Sequence, residues 1–109
     1  MGRYAAFTQR LLDSVLDAPG HTSSELRRAA LARAARPGVP GDGLAAPLGR
    51  YVDTVACHAY KLTDDDLTAL RRAGSSEDAI FEITVSAALG AALDRLERGL
   101  AALRGEEPD

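Results

Sequence analysis

An all-α fold, a bundle of about five helices joined as antiparallel hairpins, is what this sequence predicts. Three observations carry the prediction. Apolar residues recur at three- and four-residue spacings along most of the chain, the period of a helix face. Thr63 with Asp66 three residues on forms a capping-box pattern, and Gly74 followed by Ser75 and Ser76 marks one helix closing as the next opens. No segment alternates with period two, and β-branched residues never cluster, so strands have no support.

The elements follow in order. Tyr4, Phe7, Leu11, Val15 and Ala18 lie on one helical face, giving a first amphipathic helix that stops before Pro19-Gly20. The box-like Thr22-Ser23-Ser24-Glu25 opens a second helix through Leu26, Ala30 and Ala34 to Pro37, with a weak apolar face that needs neighbours. Residues 36–43, Arg36-Pro37-Gly38-Val39-Pro40-Gly41-Asp42-Gly43, read as a linker dividing a single 109-residue domain into an N-terminal hairpin over 1–35 and the helices of 44–109. Leu48, Val52, Val55, Ala59 and Leu62 predict a third helix over Ala46–Tyr60. A short fourth helix is framed by the Thr63 cap, the possible staple of Leu62 on Leu67, and Gly74. Ser75 is expected to cap the fifth, with Glu77 and Asp78 matched to the positive end of its dipole.

That fifth helix carries Phe81, Val85, Leu89, Leu93, Leu96, Leu100 and Leu103, the second half as a heptad seam. From Ser76 to Leu103 it would measure about 40 Å at ~1.5 Å per residue. A compact chain of this length is only about 34 Å across. The helix should outrun its own body and meet a partner, which predicts a homo-oligomer. Gly90, beside Ser86, Ala87 and Ala91, costs about 1 kcal/mol relative to Ala and calls for a close backbone neighbour. That neighbour is expected either from a second subunit or from the third and fourth helices, and Gly99 repeats the question further on.

Composition narrows the function classes. The chain is 46% hydrophobic and 27% charged, as a globular domain should be, but much of the apolar content is alanine and tryptophan is absent, so the core is thin. A net charge of -3 gives no overall attraction to phosphate backbones or anionic lipid, which argues against nucleic acid and membrane partners. Arg27, Arg28, Arg33 and Arg36 are expected to form a solvated face. One cysteine permits neither an intramolecular disulfide nor a thiolate zinc cluster, and with no secretory or spanning apolar run the chain is expected to be cytoplasmic.

Tyr51-Val52-Asp53-Thr54-Val55, His58-Ala59-Tyr60-Lys61-Leu62-Thr63-Asp64-Asp65-Asp66, Ala69-Leu70-Arg71-Arg72-Ala73-Gly74 and Ser76-Glu77-Asp78-Ala79-Ile80-Phe81-Glu82 through Leu89-Gly90-Ala91 resemble the carboxymuconolactone decarboxylase and alkylhydroperoxidase D-like superfamily. The resemblance covers about half the chain, from Tyr51 to Leu103. It implies an all-helical subunit that assembles into trimers, hexamers or related oligomers through its later helices. The peroxidase branch of that family works through a Cys-x-x-Cys pair, which Cys57 alone cannot supply, so thiol peroxidase activity does not carry over.

Candidate chemistry is sparse. Cys57 and His58 are adjacent and so point about 100° apart on a helix, which rules out a local dyad and leaves Cys57 an inert, partly buried thiol. His58 lies on the edge of the third helix's apolar stripe, and Glu82 is its expected long-range partner. If His58, Tyr60 and Glu82 line one cavity, they could transfer protons, as in a cofactor-independent decarboxylase. Asp64, Asp65 and Asp66 lack the glycine and ligand alternation of a calcium loop and read as helix-dipole acids. Lys61 is expected to meet exposed helix-end carbonyls, and His21 to lie on turn surface. No spacing names a cofactor or metal. The reading is an oligomeric interaction or scaffold protein; the alternatives are the acid/base enzyme just described and a subunit that binds a small apolar ligand or another protein.

Overall fold

The computed structural model describes residues 4–36 and 43–105, which form five α-helices and no strand. They are α1 (Ala5–Leu16), α2 (Ser24–Ala35), α3 (Ala46–His58), α4 (Asp64–Arg72) and α5 (Glu77–Leu103), with a 3₁₀ turn, Ala59–Lys61, between α3 and α4. Most of the expected linker, residues 37–42, lies outside the described residues.

The helix ends follow their capping chemistry. At α4 both halves of the capping box form: Thr63 Oγ1 accepts from the Asp66 amide, and Asp66 accepts from the Thr63 amide. Leu62 and Leu67 pack on the core at that entrance. Gly74, at φ 103°, closes α4 in a Schellman motif: Ser75 N donates to Leu70 O and Gly74 N to Arg71 O. Two caps fall one residue later than expected. Ser23 rather than Thr22 caps α2, accepting from Leu26 N, and Ser76 rather than Ser75 caps α5, accepting from Ala79 N. The third helix also ends two residues early, at His58, where the backbone leaves α geometry for the 3₁₀ turn.

The core is organised around α5, and its principal neighbour is α2, the helix with the weakest apolar pattern. Ala30 and Ala34 of α2 are buried against a cluster that includes Ala87 and Ala91 of α5, with Tyr51, Val52 and Ala56 of α3, Leu70 of α4, and Ile80 and Ile83 completing it. Small side chains here let two backbones approach closely. A Cβ built on Gly90 would land on the Leu31 carbonyl oxygen and 2.9 Å from its carbon. The close neighbour of Gly90 is therefore α2 of the same chain, neither a second subunit nor α3 and α4. Gly99 has nothing within 4 Å of its would-be Cβ.

Two of the arginines expected on a solvated face, Arg27 and Arg33, are structural instead. Arg27 is only 5% exposed and donates to the carbonyls of Val15 (2.9 Å), Thr22 and Ser23, capping the last turn of α1. Arg33 grips Asp53 of α3 with Nε and Nη2 at 2.8 and 2.9 Å. Arg28 pairs with Asp17. Arg28 and Arg36, the residue that ends α2, are left at the surface as expected. Between α3 and α5, Tyr51 Oη and Thr84 Oγ1 lie 2.6 Å apart, and Arg95 donates to the Ala56 carbonyl.

Among the described residues, two apolar surfaces are exposed. On α1 only Leu16 is buried, while Phe7 and Leu11 of the predicted apolar stripe, and Tyr4 just before the helix, are exposed, as is Phe81 on α5. At the other end of α5, Leu96 and Leu103 are exposed, the latter at 84%. The chain measures 46 × 28 × 25 Å, with a radius of gyration of 14.6 Å against the roughly 13 Å of a compact chain this long.

Candidate functional site

The residues singled out for acid/base chemistry sit at two places. His58 ends α3 and Tyr60 lies in the following 3₁₀ turn; both are exposed, Tyr60 at 80%. Their rings meet edge to face with centroids 6.1 Å apart, and Lys61 Nζ stands 5.9 Å from the Tyr60 centroid. Lys61, in the last turn of the 3₁₀ helix, is thus a cation beside an aromatic face. His58, expected at the margin of the core, points away from it because α3 has already left helical geometry there. Cys57 is likewise exposed rather than partly buried.

Glu82 belongs to a different structure. Its carboxylate accepts from His21 N (2.7 Å), Thr22 N (2.8 Å) and Thr22 Oγ1 (2.5 Å), tying the α1–α2 turn to the first part of α5. None of these bonds goes to His58 or Tyr60. Gly20 leaves room for the carboxylate, since a Cβ there would fall 2.8 Å from Glu82 Oε2. Donation from the His21 amide, then from the Thr22 hydroxyl and amide, holds the Glu82 carboxyl below its ordinary value. The group is a committed acceptor, organised to hold a turn. His21, on the turn surface as expected, places Nε2 3.5 Å from Asp78 at the start of α5.

Around this latch the surface is concave. Val15 of α1, Ala18 just beyond it and Phe81, Glu82 and Val85 of α5 line a cleft of about 200 Å³, with Arg27 also in its lining. A second cleft of about 330 Å³ lies between α3 and α4, lined by Pro47, Arg50, Tyr51, Thr54, Leu62 and Asp66 among others. In it Asp66 is occupied by the capping box and Thr54 donates to the Arg50 carbonyl, so its polar groups largely serve the helices that carry them. Asp64, Asp65 and Asp66 form the first turn of α4, where the helix dipole favours them. Among the described residues no group of three or more His, Cys, Asp or Glu side chains gathers as a metal site, and no helix is long and apolar enough to cross a membrane.

What the surface offers is apolar contact. The α1 stripe and the end of α5 are the features whose composition differs most from an ordinary charged exterior. Sequence periodicity found both stripes, but it does not report which helix is left at the edge. The Glu82 latch spans 60 residues of sequence and leaves no local signal except a turn rich in groups that can donate. Comparisons of the chain with protein-family models, curated proteins and solved structures return no match.

Proposed function

We propose that this chain is a self-associating helical interaction protein of scaffold type, related through its C-terminal half to the alkylhydroperoxidase D-like proteins and without their thiol peroxidase chemistry. Copies meet through the projecting end of α5. The observation that carries the reading is that end itself: Leu96 and Leu103 are uncovered on a helix that leaves the body behind. Gly99 adds to it, because a mid-helix glycine costs about 1 kcal/mol relative to Ala and nothing among the described residues approaches it closely enough to require one. A partner helix lying close would both cover the leucines and use the missing side chain. The committed bonding of Glu82, far from the exposed His58 and Tyr60 in its hydrogen-bond partners, favours interaction over proton transfer.

The test is sedimentation velocity with light scattering across a micromolar to millimolar range. The wild-type chain is expected to form a defined oligomer, and the double variant L96E/L103E to lose that contact while keeping its helical circular dichroism. A wild-type chain that stays monomeric throughout the range overturns the proposal.

A further inference from the structure

Among the described residues, the buried core cluster and the half-buried side chains packed on it come from α2 to α5 and the loops beside them; α1 contributes none. Its inner face is Thr8, Leu12, Val15 and Leu16, of which only Leu16 is buried, outside that cluster. Tyr4 at its N-cap makes no side-chain cap bond, whereas Ser23, Thr63 and Ser76 cap α2, α4 and α5. A helix of 12 residues is marginal once it stands by itself in water, so whatever keeps α1 in place also keeps it helical.

The polar ties of α1 are unequal. Asp17, at its C-cap, meets Arg28 and Ser24 on the surface, where such pairs contribute little. Arg27 donates to the Val15 carbonyl but also to those of Thr22 and Ser23, at the head of its own helix, so this buried cation keeps partners when α1 leaves. Glu82 is different. Its Oε1 takes both Thr22 donors and its Oε2 the His21 amide, and Gly20 lacks the Cβ that would displace the carboxylate. All three bonds run from α5 to the turn that joins α1 to α2.

We infer that α1 is a hinged arm that opens as one unit ahead of the rest of the molecule, with Glu82 as the catch that holds its turn closed. Opening leaves the core of α2 to α5 intact and needs no second copy. It exposes Leu16 and the α5 wall of the cleft, Phe81 and Val85.

Native-state hydrogen exchange on the full chain, followed by NMR with low concentrations of denaturant, tests it. In the wild type the amides of residues 9–16 should share one opening free energy. They should exchange at least tenfold faster than the slowest amides of α2 and α5 after correction for intrinsic rates, with a weaker dependence on denaturant. V52A lies in the core of α3, so it should speed the slow α2 and α5 amides about tenfold or more and leave those of α1 unchanged, because the body stays folded while the arm is open. E82Q puts an amide nitrogen against a donor and should speed the α1 amides about tenfold or more. The wild-type comparison stands without either variant. Amides of α1 as slow as the slowest of α5, or V52A speeding both sets alike, overturn the inference, since the chain then unfolds as a single unit. Rates falling residue by residue from Gln9 to Leu16 also overturn it, as the fraying of a helix end. α1 rates unmoved by E82Q remove Glu82 as the catch.

Discussion

Glu82 shows how one side chain can organise a fold without belonging to its core. Three donors converge on its carboxylate, and they hold the carboxyl below its ordinary value, so the folded state binds a proton there less readily than the unfolded chain does. The contribution to stability is complete above the usual glutamate range and is lost as pH falls through the folded value. Asp17, lowered by hydrogen bonds from Ser24 and then Arg28, acts in the same direction. Chemical denaturation from neutral to acid pH should therefore show stability flat at first and declining below the glutamate range. E82Q should cost about 1–3 kcal/mol at neutral pH, the worth of hydrogen bonds to a charged group, and should flatten part of the acid decline, leaving the Asp17 share. An acid profile identical in wild type and variant would remove Glu82 from this role. The sequence pointed to Glu82 but gave it the wrong companion. Its true donors are two backbone amides and a hydroxyl in a turn, and backbone groups carry no identity that a residue pattern can reveal.

At the scale of elements, the legible features were those set by local chemistry. Caps, the Schellman glycine and the number of helices depend on neighbours within four residues, so Thr63, Asp66 and Gly74 could be read directly, with one-residue slips where two serines compete for a cap. The placement of α2 was not legible in the same way. Its buried face is Ala30 and Ala34, too small to stand out in a hydrophobic pattern, and it docks through backbone proximity rather than side-chain volume. The two mid-helix glycines of α5 make this testable, because they share a helix and differ in surroundings. G90A gains helix propensity but drives a methyl into the Leu31 carbonyl, and overpacking of this kind costs about 1–3 kcal/mol or more when the obstacle is backbone. Its melting temperature should fall. G99A meets no neighbour in the single chain and should gain about 1 kcal/mol in dilute solution, raising the melting temperature by several degrees. Equal effects of the two substitutions in thermal melts would contradict the close α2–α5 contact.

For the whole molecule, a thin core and two uncovered apolar faces belong together. Few large side chains are fully buried, chiefly Ile83 and Val52, while Phe7, Phe81, Leu96 and Leu103 remain outside. If copies shelter the leucines at the end of α5, association stabilises the folded state by mass action, and the melting temperature should rise with protein concentration, by an amount reduced in L96E/L103E. A melting temperature independent of concentration over two decades would separate stability from assembly. The elongation of the chain and its leucine seam were visible in the sequence because helix length scales simply with residue number. The outward placement of α1 was not, since an amphipathic helix at the edge of a body has the same periodicity as one within it.

α2 comes closest to α5 at Gly90, and Arg95 of α5 donates to the Ala56 carbonyl of α3. From Leu96 to Leu103, roughly 12 Å of rod, every residue but the half-buried Leu100 and Ala101 is exposed. Such a rod is a lever. A pull or twist exerted on its free end travels through continuous helical backbone to the Gly90 crossing and on to Glu82, so mechanical load on the tip would be felt first at the turn that holds α1 in place.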